Sequence, residues 1–305
     1  MIKVAWMSPN FKFAPASTGS TTAAPEAQGD PGTLLITSIS EPDKNYDVCL
    51  VRSDGTGFRR LTSGPGNEEH AYWSPDGTRI VYGASGPKRS GTFVMKADGS
   101  GKVYLGDGGS PSWSPDGTQV LCGGIGGLSV MNADGTSRRV VPVPFSPSYA
   151  TWAPNGKIVF VRAREASIGW VDSGGPRYPG GDLYAVHPDG TGLVRLTRHA
   201  GMILPSVSPD GSTIAAYVPK MDCIIAVPYR AYGPPVTLLA RASRYFPNGG
   251  KPIARWTSDG EKLLLGSSNY GETGGAGLYI VNADGSGLTR MPGVTQAIGP
   301  DWQPQ

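Results

Sequence analysis

Trp73-Ser74-Pro75-Asp76-Gly77 and Trp113-Ser114-Pro115-Asp116-Gly117 are identical stretches set 40 residues apart. Worn copies follow at Trp152-Ala153-Pro154-Asn155-Gly156, Val207-Ser208-Pro209-Asp210-Gly211 and Trp256-Thr257-Ser258-Asp259-Gly260. Asp301-Trp302-Gln303-Pro304 is a copy cut off by the C-terminus. Pro presets φ for a turn, Asp bonds to nearby backbone, and Gly closes the turn. A short β run comes next, as in Arg79-Ile80-Val81-Tyr82 and Lys157-Ile158-Val159-Phe160. Each copy therefore predicts a strand ending in Trp, a tight turn and a second strand.

A second motif alternates with the first. It reads Asn132-Ala133-Asp134-Gly135-Thr136 and Asn282-Ala283-Asp284-Gly285-Ser286, with variants at Asp54-Gly55, Asp98-Gly99 and Asp189-Gly190. An Asp-Gly pair between two short β runs signals a hairpin, because Gly accepts positive φ. Several copies lead into a basic-apolar run, such as Arg59-Arg60-Leu61-Thr62 or Val194-Arg195-Leu196-Thr197. Together the motifs predict four short strands per unit, and four strands in roughly 40–45 residues is the period of a propeller blade. No window keeps a helical stripe, and Gly and Pro interrupt every one.

The two ends complete each other. Thr33-Leu34-Leu35-Ile36-Thr37-Ser38 is a second-type strand with no Trp motif before it, and Gly299-Pro300-Asp301-Trp302 is a first-type strand with nothing after it. Joined, they make one blade and leave no open seam. The expected fold is all-β, a six-bladed β-propeller of four-stranded blades, with its ring closed by the C-terminal strand. Residues 1–32, rich in Ala, Ser, Thr, Pro and Gly, are expected to be a flexible extension, and 33–305 the propeller. The fifth unit is the weakest, because Ile224-Ile225-Ala226-Val227-Pro228 lacks an Asp-Gly turn.

Composition agrees. With 45 Gly, 28 Pro and only 17% charged residues, the chain suits a turn-rich β protein better than a disordered one. A net charge of +3 without clustered Lys or Arg gives no case for nucleic acid. Cys49, Cys122 and Cys223 sit in apolar runs, too widely spaced for a zinc site and odd in number for a disulfide framework, and read as small buried hydrophobes. No apolar run is long enough to span a membrane. Met1 to Phe13 lacks the continuous apolar run of a signal peptide.

Trp-Ser-Pro-Asp-Gly, then Asn-Ala-Asp-Gly-Ser/Thr, then Arg-Leu-Thr resembles the six-bladed propeller of the TolB family. Related repeats occur in the propeller of prolyl-oligopeptidase-type peptidases. The resemblance covers about residues 33–305 and implies a stand-alone propeller. The smaller N-terminal domain of TolB has no counterpart in residues 1–32, and no Gly-x-Ser-x-Gly marks a hydrolase domain. It also implies a place in a cell-envelope complex and favours an extracytoplasmic setting, periplasmic or secreted.

In such a fold the short repetitive turns share one face, and the variable loops surround the channel mouth on the other, where binding is expected. The candidate binding residues are Glu68, Glu69 and His70; Arg162, Arg164, Trp170, Arg177 and Tyr178 in the long insertion 162–181; and His199, Tyr245 and Lys251. Trp and Arg on an exposed loop suit a protein interface. The Asp-Gly turns lack the alternating ligands of an EF-hand, so no metal, no cofactor and no catalytic residue is assigned. The expected activity is non-enzymatic binding of a protein or peptide partner by a monomer. The alternative is a lyase or hydrolase acting on a carbohydrate or small anion, with Arg162, Arg164, Arg177, Arg198 and Lys251 holding carboxylates. His70, His199 or Tyr245 would then be its acid–base groups.

Overall fold

The tight turns explain why these residues form these strands. Ser74 Oγ donates to Asp76 Oδ1 at 2.5 Å and accepts the Arg79 N–H at 2.9 Å. Asp76 Oδ1 also accepts the Thr78 N–H and hydroxyl at 3.0 and 2.8 Å. The Ser74 hydroxyl, then the Thr78 donors, hold the Asp76 carboxyl down at about 2. The arrangement recurs at Ser114–Asp116, Ser208–Asp210 and Thr257–Asp259. In the worn copy Ala153 has no hydroxyl to give, and Asn155 Oδ1 takes the Lys157 N–H at 3.1 Å.

The second motif folds by the same logic. Asp54 Oδ1 accepts both Thr56 donors, and the copies at Asp98, Asp134, Asp189 and Asp284 likewise accept the N–H two residues on. The Arg-Leu-Thr that follows is also physical in origin. Thr62 Oγ1 accepts the Val48 N–H at 2.8 Å, while Arg60 pairs with Asp47 at 3.2 Å. Thr197 does the same for Leu183, and Arg195 pairs with Asp182.

The structure is a computed structural model. It describes residues 32–304 apart from 41–44, 88, 125–126, 163–169, 172–174, 177–179, 199, 230–234, 247–250, 268–276, 293 and 295–296. Four separate four-stranded antiparallel sheets form blades. Blade A holds Asn67–Trp73, Arg79–Ser85, Gly91–Lys96 and Val103–Gly106. Blade B holds Gly109–Trp113, Gln119–Gly124, Gly127–Asn132 and Arg139–Val140. Blade C holds Pro147–Trp152, Ile158–Arg162, Asp182–Val186 and Val194–Arg195. Blade D holds Ile203–Val207, Thr213–Val218, Cys223–Pro228 and Val236–Ala240.

The expectation of six separate blades meets a difference here. Apart from the two-stranded ribbon Trp170–Val171 and Gly175–Pro176, the remaining strands form one eight-stranded sheet. Pro252–Trp256, Lys262–Ser267, Tyr279–Asn282 and Thr289–Arg290 are one part of it; Ile298–Trp302, Thr33–Ser40, Asn45–Arg52 and Arg59–Arg60 are the other. A single parallel pairing, Ser267 with Ile298, fuses the two parts. The C-terminal strand pairs antiparallel with the N-terminal one, Leu34 opposite Trp302 and Leu35 opposite Asp301. The first strands of blades A to D, with Pro252–Trp256 and Ile298–Trp302, touch one another in cyclic order around a central channel.

The core lies between sheets rather than within one. Leu35, Val48 and Leu50 pack against Trp73, Ile80 and Met95 of blade A, whose Val81, Val94 and Leu105 pack in turn against Trp113, Val120 and Met131. Leu34, Ile36 and Val51 pack against Leu264, Leu278 and Met291, filling the space between the two parts of the eight-stranded sheet. Trp73, Trp113 and Trp152 are buried, and so are all three free cysteines. Polar staples cross the seams. Trp113 Nε1 donates to the Tyr72 carbonyl at 3.2 Å, and Arg79 lies 4.7 Å from the Trp113 ring while donating to the Gly117 carbonyl at 2.9 Å.

Asp-Gly has a second duty at these seams. Gly285 has φ +86°, and a Cβ there would meet the Thr237 carbonyl oxygen of blade D at 3.0 Å. Gly285→Ala is therefore expected to cost about 2 kcal/mol in urea unfolding. Gly64→Ala, where a Cβ meets nothing within 4 Å, should stay within about 0.5 kcal/mol. Equal effects at the two positions would refute the seam argument.

Candidate functional site

The inner strands carry a feature that their sequence hides. His70, Ser110, Tyr149 and Leu204 have φ of 53, 47, 47 and 54°, and Gly299 has 55°. Each lies three residues before the Trp position of its strand. In blades A to D the pairing register shifts at this point, between Glu69 and Tyr72, Gly109 and Ser112, Ser148 and Thr151, and Ile203 and Ser206. This is a β-bulge, a device that bends a strand and re-aims a side chain, often beside a site. A left-handed conformation at a non-glycine residue carries strain of order 1 kcal/mol. The Pro252–Trp256 strand pairs without a shift.

Just below the bulges, polar side chains reach across the channel. Arg255 Nη2 donates to the Tyr72 hydroxyl at 2.7 Å, and its guanidinium lies 5.0 Å from the Tyr72 ring. Their strands are separated in the ring by Ile298–Trp302, so the contact spans that strand. Asp301, on the spanned strand, accepts the Trp73 N–H at 2.9 Å through Oδ2. Burial pushes its carboxyl up to about 6 against the pull of that N–H and of Arg255. Lys251 Nζ lies 3.5 Å from the Tyr149 hydroxyl, and burial lowers its ammonium below the usual lysine range.

Burial, then Arg255, brings His70 down to about 4, so its imidazole is neutral at physiological pH. Its Nδ1 is 3.8 Å from Glu69 Oε1. Glu68 points the other way, into the seam toward Asp47. Glu68, Glu69 and His70, placed by the sequence among the variable loops, are at the start of an inner strand, Asn67–Trp73, and Tyr149 lies likewise in Pro147–Trp152. The bulge breaks the two-residue alternation that would have revealed them.

The remaining candidates are dispersed. Arg162 is exposed, its guanidinium 4.8 Å from the Phe145 ring. Tyr245 packs edge-on against Tyr279 with centroids 5.3 Å apart. Trp170 begins a two-residue strand, Trp170–Val171, paired with Gly175–Pro176. Arg164, Arg177, Tyr178 and His199 lie outside the described residues. Ser110, Arg255 and Asp301 were not singled out from sequence. The one signal for the last two is their place immediately before the Trp position, which faces the channel. Among the described residues, no group of three or more His, Cys, Asp or Glu is gathered as a metal site would need, and no helix is long and apolar enough to cross a membrane.

No family model and no curated protein matches the chain. Solved structures do. TolB from Acinetobacter baumannii superposes with TM-score 0.70 at 18% identity, covering 90% of this chain and 67% of that one. A chain of the nidogen/laminin complex gives 0.64 at 12%, covering 90% and 98%. A gluconolactonase from Xanthomonas campestris gives 0.56 at 16%, covering 92% and 89%. The fold is a TolB-like β-propeller. Identities this low establish the architecture and nothing of the activity.

The channel groups predict opposing pH effects. Asp301 has a folded value of about 6 against an ordinary 3.8, so its contribution to stability is present below 3.8 and lost as pH rises to about 6. His70 has a folded value of about 4 against 6.5, so its contribution is present above 6.5 and lost as pH falls to about 4. Asp301→Asn should therefore make stability rise more steeply with pH between 4 and 6, and His70→Gln should tilt it the other way. Urea midpoints across that range check this, and slopes that change in the same direction would contradict it.

Proposed function

We propose that this chain is a non-enzymatic recognition module that binds a protein or peptide partner at the channel mouth. The observation that carries the reading is the contrast between two sets of equivalent positions. At the turns, four copies keep both geometry and chemistry, a hydroxyl and a carboxylate locked together, and the copy at Ala153–Asn155 departs. At the bulges they keep the geometry and vary the chemistry, presenting His70, Ser110, Tyr149, Leu204 and Gly299 around one rim. A fixed frame that displays differing side chains suits recognition of one shaped surface.

The channel beneath that rim is bridged by Arg255–Tyr72, and Lys251 meets Tyr149 at the rim itself. A partner is therefore met at the mouth and by the surrounding loops, among them 162–181. We count the eight-stranded sheet as two blades, giving six in all. One parallel pairing is their only ladder contact among the described residues, and a hydrophobic layer separates them as it separates the other blades. Kinship with TolB and an extracytoplasmic setting belong to the same reading.

A pull-down with the full chain supplies the partner for the test. Tyr149→Ala and Ser110→Ala should each weaken binding about tenfold or more, the size of a loss of ~1.4 kcal/mol at an interface. Asp134→Ala and Asp284→Ala, on the turn face, should leave binding within about twofold while lowering the melting temperature. The reverse pattern would overturn the choice of face.

A further inference from the structure

We propose that Glu68 and Asp47 hold one proton between them and form a proton-operated joint between the strand Asn45–Arg52 and the mouth strand Asn67–Trp73. Asp47 is buried, at 1% exposure, with Oδ2 on Arg60 and Oδ1 3.4 Å from the Thr62 hydroxyl. Glu68 enters the same pocket from blade A with its Oε2 buried and, among the described residues, without a hydrogen-bond partner, and its carboxyl group lies against that of Asp47. Two carboxylates cannot bond each other without a proton, and two unscreened charges at that separation repel strongly. One residue away, Asn67 Oδ1 accepts the Tyr46 N–H at 3.1 Å, so the joint is tied on both strands.

The molecule contains its own comparison. Asp182, Arg195 and Thr197 repeat the Asp47, Arg60 and Thr62 arrangement on blade C. The neighbouring inner strand there brings the buried Met202, bridged to Gly181, where blade A brings Glu68. An apolar side chain thus satisfies this place in the fold, and the second carboxyl group is an addition to it. That addition sits on the strand that next carries Glu69 and the bulged His70, so strain at the joint reaches the mouth within two residues.

The surroundings bear on the proton. Tyr46, Asp47 and Cys49 face it from the first strand, Arg60 and Thr62 from the chain beyond, Tyr82 from within blade A, and Lys102 from its far side, with Glu69 and His70 on the same strand. Arg60 is 46% exposed and solvent-screened. Lys102 Nζ is engaged with the Leu61 carbonyl at 2.9 Å. Burial, then Asp47, raises the Glu68 carboxyl to about 7. The contribution of Glu68 to stability is present below its ordinary 4.5 and lost as pH rises to about 7.

The test uses the full chain, Glu68→Gln and Glu68→Met, the last copying Met202. Amide exchange across 67–73, corrected for intrinsic rates, is followed from pH 5 to 8. The wild-type protein should lose about tenfold more protection over that range than either variant, a figure discounted for partial solvent screening, with the variants keeping only the dependence that His70 and Asp301 impose. Equal profiles in all three proteins would overturn the proposal. Should neither variant fold, a carboxyl-carbon NMR titration of wild-type Glu68 decides it. A midpoint near 7 supports the shared proton, and one near 4.5 overturns it.

Discussion

The pairing of Ile298–Trp302 with Thr33–Ser40 is the contact on which the rest depends. It unites strands from opposite ends of the chain, places Asp301 opposite Leu35, and sets the Asp301 carboxylate against the backbone of Trp73 in the next blade. Without it, the first strand of the ring would be missing beside blade A, and the N-terminal strand would present an open edge. Each blade buries its faces only against its neighbours, so the stability of the ring is a sum of seams. The closing strand supplies one side of two of them.

With the ring closed, the two faces divide the work. The turn face is built mainly from short-range bonds, hydroxyl to carboxylate and carboxylate to backbone. These interactions are local and repeat with the sequence. The mouth face is built from long-range ones, such as Arg255 to Tyr72 and Lys251 to Tyr149, which join residues far apart in the chain. Strain is concentrated there, in four non-glycine residues held in the left-handed region at equivalent places. A rigid scaffold with a strained, chemically varied rim is the physical basis of the recognition role proposed above.

That division also sets what could be read from sequence. Trp113-Ser114-Pro115-Asp116-Gly117 announces its turn because most of the groups that stabilise it lie within it or in the two residues that follow. The closing strand was legible because Asp301-Trp302 is a recognisable fragment of the same motif. The bulges were not, since one extra residue breaks the alternation at Glu69-His70 and makes a strand look like a loop. The fusion of two strand groups through Ser267 and Ile298 rests on one backbone pairing, which no side-chain pattern encodes. Glu68, Glu69 and His70 were grouped by adjacency. The fold turns Glu68 into a seam and sets His70 beside Arg255, because the bulge falls between them and Trp73. Arg255 and Asp301 meet only in three dimensions.

The most direct measurement is deuterium exchange of the full chain with and without its captured partner. The account predicts protection centred on the starts of the inner strands, residues 67–70, 109–110, 147–149 and 203–204, with the turns at Asp76, Asp116, Asp134 and Asp284 unchanged. Protection confined to those turns, with the inner-strand starts unaffected, would contradict it.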